Sequence, residues 1–256
     1  MSHPADKLPA FAGLAEAFAR ARDDVYLAGL WKRRLVHDLM WEARTNRETR
    51  RHAWRAPSWS WASIDAGIDV VGAHKRILPC QLDGCQLMKQ TETAQIVDCG
   101  VELEDECNKY GAVRSAFVVL CAPLVEMNMV SGTLCVTLRI DGLQLAGITP
   151  AAIKVLRPGH FATASPDLAL YMSADLQGFG NTEDGYDVVC MQVRQEIVQS
   201  KTLGEVTLMD GLILMPVDPT GGVFRRVGVW VTEFAFVVSA EQNPFHGVEP
   251  STVKIV

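Results

Sequence analysis

Apolar residues at helical spacing open the chain. Phe11, Leu14 and Phe18 recur at intervals of three and four residues, which predicts an amphipathic helix over residues 6–22. A broad apolar stripe with basic residues on its other side predicts a second helix over residues 27–43. The chain is therefore predicted to begin with a short helical segment.

The pattern changes to alternation after Pro57. In the run "SWSWASID", small polar residues alternate with Trp59 and Trp61, which predicts that both indoles lie on one face of a strand. Seven further strand-like runs follow, separated by turn signals rich in glycine and asparagine. They cover residues 94–103, 112–121, 133–140, 167–173, 186–194, 210–217 and 223–238.

These elements predict an α+β fold that is mostly β, with short N-terminal helices packed on an antiparallel β-barrel or two-sheet sandwich. No helical pattern alternates with the strands, which disfavours a doubly wound parallel sheet. The length of 256 residues is compatible with one domain, divided into a helical segment over residues 1–50 and a β-rich part over residues 51–256.

Composition narrows the classes of partner. Apolar residues make up 48% and charged residues 21% of the chain, which is typical of a globular protein with an ordinary core. The net charge of −6 does not favour binding to nucleic acid or to an anionic membrane. No secretory leader pattern and no apolar run of membrane-spanning length is present, so a cytoplasmic location is expected.

Seven cysteines without a C-x-x-C pair indicate reduced thiols, several of them within apolar strand-like runs. Neither a metal site nor a cofactor is expected, because no second cysteine pair stands at ligand spacing and no nucleotide-binding glycine motif occurs. The motifs G-x-S-x-G and H-E-x-x-H are also missing. Any catalysis must therefore use residues outside the familiar motifs.

Three residues are the candidates for catalysis. His52 stands beside the tryptophan-rich run and is the candidate general base. Arg55 is able to stack on an indole or to bind a carboxylate through its planar fork. Tyr110, in the turn "NKYG", is able to donate a hydrogen bond to a ligand carbonyl. The structural alternatives are a solvated basic loop for the arginine and histidine and turn packing for the tyrosine.

The candidates for ligand binding are Trp31, Trp41, Trp59, Trp61 and Arg225. The indoles either form the core between the second helix and the first strand or line a pocket for an apolar ligand. In the run "FRRVG", strict alternation directs one arginine inward, where it needs an ion-pair partner or a bound anion. The predicted partners are Asp98, Glu102, Asp187 and Asp210.

The segment "DDVYLAGLWKRRLVHDLMW", followed by "RRHAWRAPSWSWASIDAGI", resembles the centre of fungal heterokaryon-incompatibility (HET) domain proteins. The runs "NKYGAVRSAFVVLCAPL" and "DGLILMPVDPTGGVFRRVGVW" resemble later strands of the same family. In that family a TIR-like HET module precedes this region, so the resemblance implies a fungal C-terminal region, either truncated or standing alone. The cell-death signalling tied to that module is not carried over.

Two functions remain open on the sequence. The first is a domain acting on a small apolar metabolite in fungal secondary metabolism, as a cofactor-independent isomerase, cyclase or pericyclic catalyst that needs only a shaped cavity. The alternative is a non-catalytic interaction or regulatory domain of a heterokaryon-incompatibility protein. The expected partner is accordingly a small apolar metabolite or another protein.

Overall fold

The fold is mostly β with a few short helices, as predicted, and its main sheet is barrel-like. The computed structural model describes a subset of the chain, and the statements below concern that subset. It comprises residues 4–43, 54–65, 67–70, 86–130, 133–136, 162–166, 186–201, 204–217, 222–231 and 243–256.

The first predicted helix is confirmed. Helix α1 spans Lys7–Arg22 and follows a short 3-10 turn, Pro4–Asp6. Its buried side carries Leu8 and Ala15, which face the rest of the protein. Phe11, Leu14 and Phe18 stay exposed, so the stripe that predicted the helix is not the stripe that the helix buries.

The second predicted helix, over residues 27–43, is wrong. Strands β1 (Tyr26–Leu27) and β2 (Leu30–Trp31) form a tight hairpin there. Its two turn residues have positive φ angles of 45° at Ala28 and 100° at Gly29, which a right-handed helix does not contain. The segment continues with a 3-10 turn (Lys32–Arg34), a single helical turn α2 (Leu35–Asp38), and strand β3 (Trp41–Ala43), which pairs with β4 (Ile68–Val70).

The strand predicted across Trp59 and Trp61 is also wrong. The segment forms turns and a 3-10 helix, Trp61–Ser63, whose first residues are capped by the Ser60 hydroxyl accepting from the Ala62 N–H at 3.1 Å. A serine oxygen at this position gives the chain a local alternative to a strand ladder. A short alternation of polar and apolar residues does not distinguish a strand from these turns.

Ten strands form the main sheet in the described residues. They are β5 (Gln86–Glu92), β6 (Gln95–Leu103), β7 (Val113–Ala122), β8 (Leu124–Val130), β9 (Thr133–Val136), β10 (Ala162–Pro166), β11 (Tyr186–Ser200), β12 (Gly204–Pro216), β13 (Val223–Val231) and β14 (Ser251–Ile255). Six predicted strand runs therefore coincide with observed strands in whole or in part. The predicted strand 167–173 lies outside the described residues, as do 137–140 and 232–238.

The strand order is β10, β9, β8, β11, β12, β13, β14, β7, β6, with β5 added beside the second half of β11. All of these pairs are antiparallel except β13 with β14, which is parallel. Because β10 also pairs with β13, the sheet bends back on itself in a barrel-like form. This pairing protects the edge that β10 would otherwise present.

Strand β12 is buried on both faces along most of its length. On one face Leu212 and Leu214 belong to the same hydrophobic cluster as Trp59 and Leu39 of the N-terminal segment. On the other face the backbone of Gly211 lies against Met191 and the Trp230 ring, where a Cβ atom would fall 1.8 Å from the Met191 carbonyl oxygen. The sheet therefore packs a layer on each side, and only glycine fits at this crossing.

One buried ion pair lies on the face of Leu212. The Arg194 guanidinium binds the Asp210 carboxylate, with Nη2 2.6 Å and Nε 3.2 Å from Oδ2. Burial acts to lower the pKa of Arg194, but the hydrogen bonds and the charge of Asp210 outweigh it and the pKa rises. Asp210 is fully buried, so this pair is a structural element of the barrel.

Candidate functional site

The tryptophan-rich segment, residues 54–65, lies on the sheet and is tied to its C-terminal strands. The Ser58 N–H and hydroxyl both donate to the carbonyl oxygen of Val256, the N–H at 3.2 Å. The Ser58 oxygen also accepts from the Arg226 N–H at 3.0 Å. One serine thus links this segment to β13 and to the end of β14.

Trp41 and Trp59 form the centre of this junction. Their side chains are 1% and 0% exposed, and the Trp41 Nε1–H donates to the Trp59 carbonyl oxygen at 2.8 Å. The Arg226 guanidinium lies 3.7 Å from the centre of the Trp41 ring and donates to the carbonyl oxygens of Leu39 and Trp41. Neither indole presents a face to solvent, so both act as core.

Arg226, and not Arg225, is the inward-facing arginine of β13. Arg226 is 1% exposed, whereas Arg225 lies on the exposed side of the strand. The physical reason is that Phe224, two residues earlier, is buried, so alternation places Arg226 beside it. Arg226 therefore takes the inward position, and Arg225, the predicted ligand-binding residue, lies on the exposed side of the strand.

Two of the four carboxylates predicted as partners for the inward arginine bind other arginines. Asp210 binds Arg194 in β11, and Glu102 binds Arg114 in β7 at 3.1 Å. Hydrogen bonds from Ser115 and then from Arg114 lower the pKa of the exposed Glu102. The observed partners of Arg226 include backbone carbonyl oxygens and an aromatic face, which no sequence pattern reveals.

Trp61 connects the segment to the β1–β2 hairpin and to α1. Its Nε1–H donates to the Gly29 carbonyl oxygen at 2.8 Å, and the Ser60 hydroxyl donates to the Ala28 carbonyl oxygen at 2.5 Å. The Phe11 ring meets the Trp61 ring edge-on, with centroids 5.4 Å apart. Trp61 is therefore one of the contacts that hold α1 against the body.

Trp31 and Tyr110 lie at a different place, around Tyr26. Both rings pack against Tyr26, with centroid distances of 5.3 Å and 5.6 Å. Burial raises the pKa of Tyr26 to about 12, against the opposing effect of a hydrogen bond with the Gly29 backbone. Tyr26 consequently stays protonated near neutral pH.

Arg55 lies at the rim of the junction, where a backbone carbonyl oxygen and a carboxylate bind its guanidinium. Its side chain is 5% exposed; Nε donates to the Ala62 carbonyl oxygen at 2.7 Å, and Nη2 binds Asp65 at 2.7 Å. Lys7 of α1 reaches the same carboxylate at 3.5 Å and donates to the Ile64 carbonyl oxygen. Burial, and then the Arg55 charge, lower the pKa of Lys7.

The described site residues predicted from the sequence are thus divided among three places, one of which is the exposed side of β13, where Arg225 lies. Trp41, Trp59 and Trp61 belong to the junction, and Arg55 lies at its rim. Trp31 and Tyr110 surround Tyr26. His52 lies outside the described residues. Within the part of the chain that the structure describes, no group of three or more His, Cys, Asp or Glu side chains is arranged to hold a metal ion.

Comparison with known proteins adds no relative: no family model, no curated protein and no solved structure matches the chain. The resemblance to HET-domain proteins therefore rests on the quoted sequence motifs alone. Among the described residues, no helix is both long and apolar enough to cross a membrane.

Proposed function

We propose that the chain is a non-catalytic interaction module that binds an α-helix of a protein partner on the exposed face of α1. The observation that carries the proposal is the exposed apolar stripe on this helix. Phe11, Leu14 and Phe18 are 38%, 54% and 43% exposed, although all three are large apolar side chains. Contiguous exposed apolar surface of this kind is typical of interaction sites.

The helix is well placed to present that stripe rigidly. Leu8 and Ala15 are buried against the body, Lys7 binds Asp65, and Phe11 contacts Trp61 through one edge of its ring. A helix anchored in this way loses little conformational entropy on binding, which favours association. Apolar side chains at intervals of three and four residues form the surface against which a partner helix packs.

The contacts of three predicted ligand-binding tryptophans support a structural role for them. The indoles of Trp41 and Trp61 donate to backbone carbonyl oxygens, and Trp59 is wholly buried. An interaction or regulatory role also agrees with the resemblance to the C-terminal region of HET proteins, where we expect the domain to serve partner recognition.

The test replaces Phe18 by the photoreactive residue benzoylphenylalanine. The labelled chain is irradiated alone and in an extract of the cells that produce it, and cross-linked peptides are identified by mass spectrometry. We expect adducts to an identified helical segment, and their loss when Leu14→Glu is added. The matched control carries the photoreactive residue at Val97 of β6, which is 59% exposed. Equal adducts at both positions, or adducts that survive Leu14→Glu, would contradict the proposal.

A second candidate function, the binding of a small metabolite that carries a carboxylate, is favoured by one observation. The Nη1 atom of Arg55 is buried without a hydrogen-bond partner. An unpaired guanidinium nitrogen suits a ligand oxygen. Native mass spectrometry after incubation with a metabolite extract is the test: an adduct lost in Arg55→Gln supports this function, and bare protein argues against it.

A further inference from the structure

Two cationic side chains converge on one carboxylate where α1 meets the tryptophan-rich segment. The Arg55 Nη2 atom lies 2.7 Å from Oδ1 of Asp65, and the Lys7 Nζ atom lies 3.5 Å from the same oxygen. The Arg55 side chain is 5% exposed, whereas those of Lys7 and Asp65 are 17% and 28% exposed. The cluster thus sets two positive charges against one carboxylate, with Arg55 on its inner side and Lys7 and Asp65 toward solvent.

The Arg55 guanidinium keeps a donor for a further acceptor. Its Nε donates to the Ala62 carbonyl oxygen at 2.7 Å, and its Nη2 donates to the Ser63 carbonyl oxygen at 3.2 Å as well as to Asp65. Nη1 is buried and has no hydrogen-bond partner among the described residues. Such a group is costly, because it has lost its hydration without gaining an acceptor. In native proteins a buried donor of this kind is typically satisfied by an ordered water molecule or an ion.

We propose that a compact oxyanion, the carboxylate or phosphate group of a ligand, binds between Arg55 and Lys7 and stabilises α1 in its packed position. The inference rests on the second candidate function, because it uses the same arginine. It adds Lys7 as a second binding residue. It also links the ligand to the helix that presents the exposed apolar side chains.

Charge favours an oxyanion over a water molecule in this place. Burial, and then the charge of Arg55, lower the pKa of Lys7 despite the opposing effect of Asp65. A second anion acts in the same direction as Asp65, so it stabilises the charged lysine, and its bonds to two charged donors are stronger than those of neutral water. Both cations already share one carboxylate oxygen, so their spacing suits a group of that size.

The site joins two parts of the chain. Lys7 is the first residue of α1, whereas Arg55 and Asp65 belong to the segment that α1 contacts. Of the 16 residues of α1, Leu8 and Ala15 are buried, so few buried side chains hold the helix and one further contact is a sizeable share. An oxyanion that binds both Arg55 and Lys7 binds the packed helix more tightly than a detached one, and it therefore shifts the equilibrium toward the packed state. The flexible stem of Lys7 lets its ammonium group swing aside while the oxyanion enters.

The experiment measures the urea midpoint of the full chain during titration with sodium phosphate, and separately with sodium acetate, at an ionic strength held constant with sodium chloride. We expect a rise of the midpoint that saturates with the concentration of the oxyanion. Kosmotropic anions also stabilise proteins by exclusion from the surface, but that effect does not saturate as a binding site does.

Three variants assign the rise to the site, each compared with its own midpoint in chloride alone. Lys7→Met should weaken the apparent affinity about tenfold, because one charged contact is lost. Arg55→Lys keeps a charge but lacks Nη1, and should abolish the saturable rise. The matched control Arg114→Met removes a 60% exposed cation from its pair with Glu102, and should leave the affinity unchanged.

Hydrogen exchange followed by mass spectrometry tests the link to α1. Phosphate should slow exchange in residues 7–22 of the parent but not of Lys7→Met, and exchange in β6 should be the same with and without phosphate in both proteins.

An unchanged midpoint when phosphate or acetate replaces chloride would show that water satisfies Nη1, and would overturn the inference. Equal affinities in the parent and in Lys7→Met would refute the link to α1. The second candidate function fails separately: if native mass spectra show no metabolite while the saturable rise depends on Lys7, the oxyanion site stands and the metabolite alone is refuted.

Discussion

Replacing Arg226 by methionine removes the cation that joins β13 to the N-terminal segment. The guanidinium is 1% exposed and lies 3.7 Å from the centre of the Trp41 ring. It donates to the carbonyl oxygens of Leu39, at 3.1 Å, and Trp41. Methionine fills similar space but donates nothing, so these buried carbonyl groups lose a donor.

The expected loss of stability can be worked from these contacts. A buried polar group left without its partner costs about 1–3 kcal/mol, and two carbonyl groups are affected. The cation–π contact adds about 2 kcal/mol at a desolvated site. Relief of the desolvation of the charge opposes both, so the net loss in Arg226→Met is about 3–5 kcal/mol. That is a large share of a typical folding free energy of roughly 5–15 kcal/mol.

Urea unfolding followed by tryptophan fluorescence measures this loss, provided that the slope of the transition stays unchanged. The control is the neighbouring Arg225→Met, where an exposed side chain should cost no more than about 0.5 kcal/mol. Arg226→Lys keeps the charge but not the planar fork, and should lie between the two. If Arg226→Met and Arg225→Met unfold within about 1 kcal/mol of each other, the account of the junction is refuted.

Three further predictions concern other parts of the structure. Gly29→Ala should destabilise the chain and shift its tryptophan emission, because φ is +100° and the new Cβ would fall 2.7 Å from Trp61 Nε1; an unchanged spectrum and melting temperature would count against the hairpin contact. Burial raises the pKa of the Cys190 thiol, so iodoacetamide should label the exposed Cys107 in the native protein and Cys190 only after unfolding; peptide mass spectrometry reads this out, and native labelling of Cys190 would exclude its burial. Because the pKa of Lys7 is lowered on folding, the unfolded chain binds more protons, and stability should rise with pH as pH approaches 10.5. Lys7→Met should lose that rise in urea midpoints measured across this pH range, and an identical pH profile in both proteins would refute the lowered pKa.

Strands with long alternating patterns were the most predictable part of the fold. The predicted run 112–121 differs by one residue at each end from β7, whose buried and exposed positions alternate along most of its length. The pattern succeeds there because one face of the strand packs against the core and the other meets solvent. The alternation of apolar and polar residues in the sequence then matches the alternation of buried and exposed positions in the strand.

The prediction failed where two local structures share one apolar pattern. Leu27, Leu30 and Trp31 have helical spacing, but the chain turns back at Ala28 and Gly29. A two-residue hairpin places the same residues toward the core, and the choice depends on contacts with Trp61 and Ser60 about thirty residues further on. No local pattern contains that information.

Side-chain donors take the place of strand pairing for the backbone around residues 54–65. This segment forms turns and a 3-10 helix, so its carbonyl groups and those of the facing hairpin lack the ladder partners of a strand. Side-chain donors satisfy several of them: Trp41 for Trp59, Trp61 for Gly29, and Arg55 for Ala62. Of the three indoles in the segment, Trp61 supplies a donor, Trp59 supplies buried apolar surface, and Trp54 is 54% exposed. The motif thereby belongs to the junction of the fold, and the exposed apolar side chains of α1 other than Phe11 lie outside it.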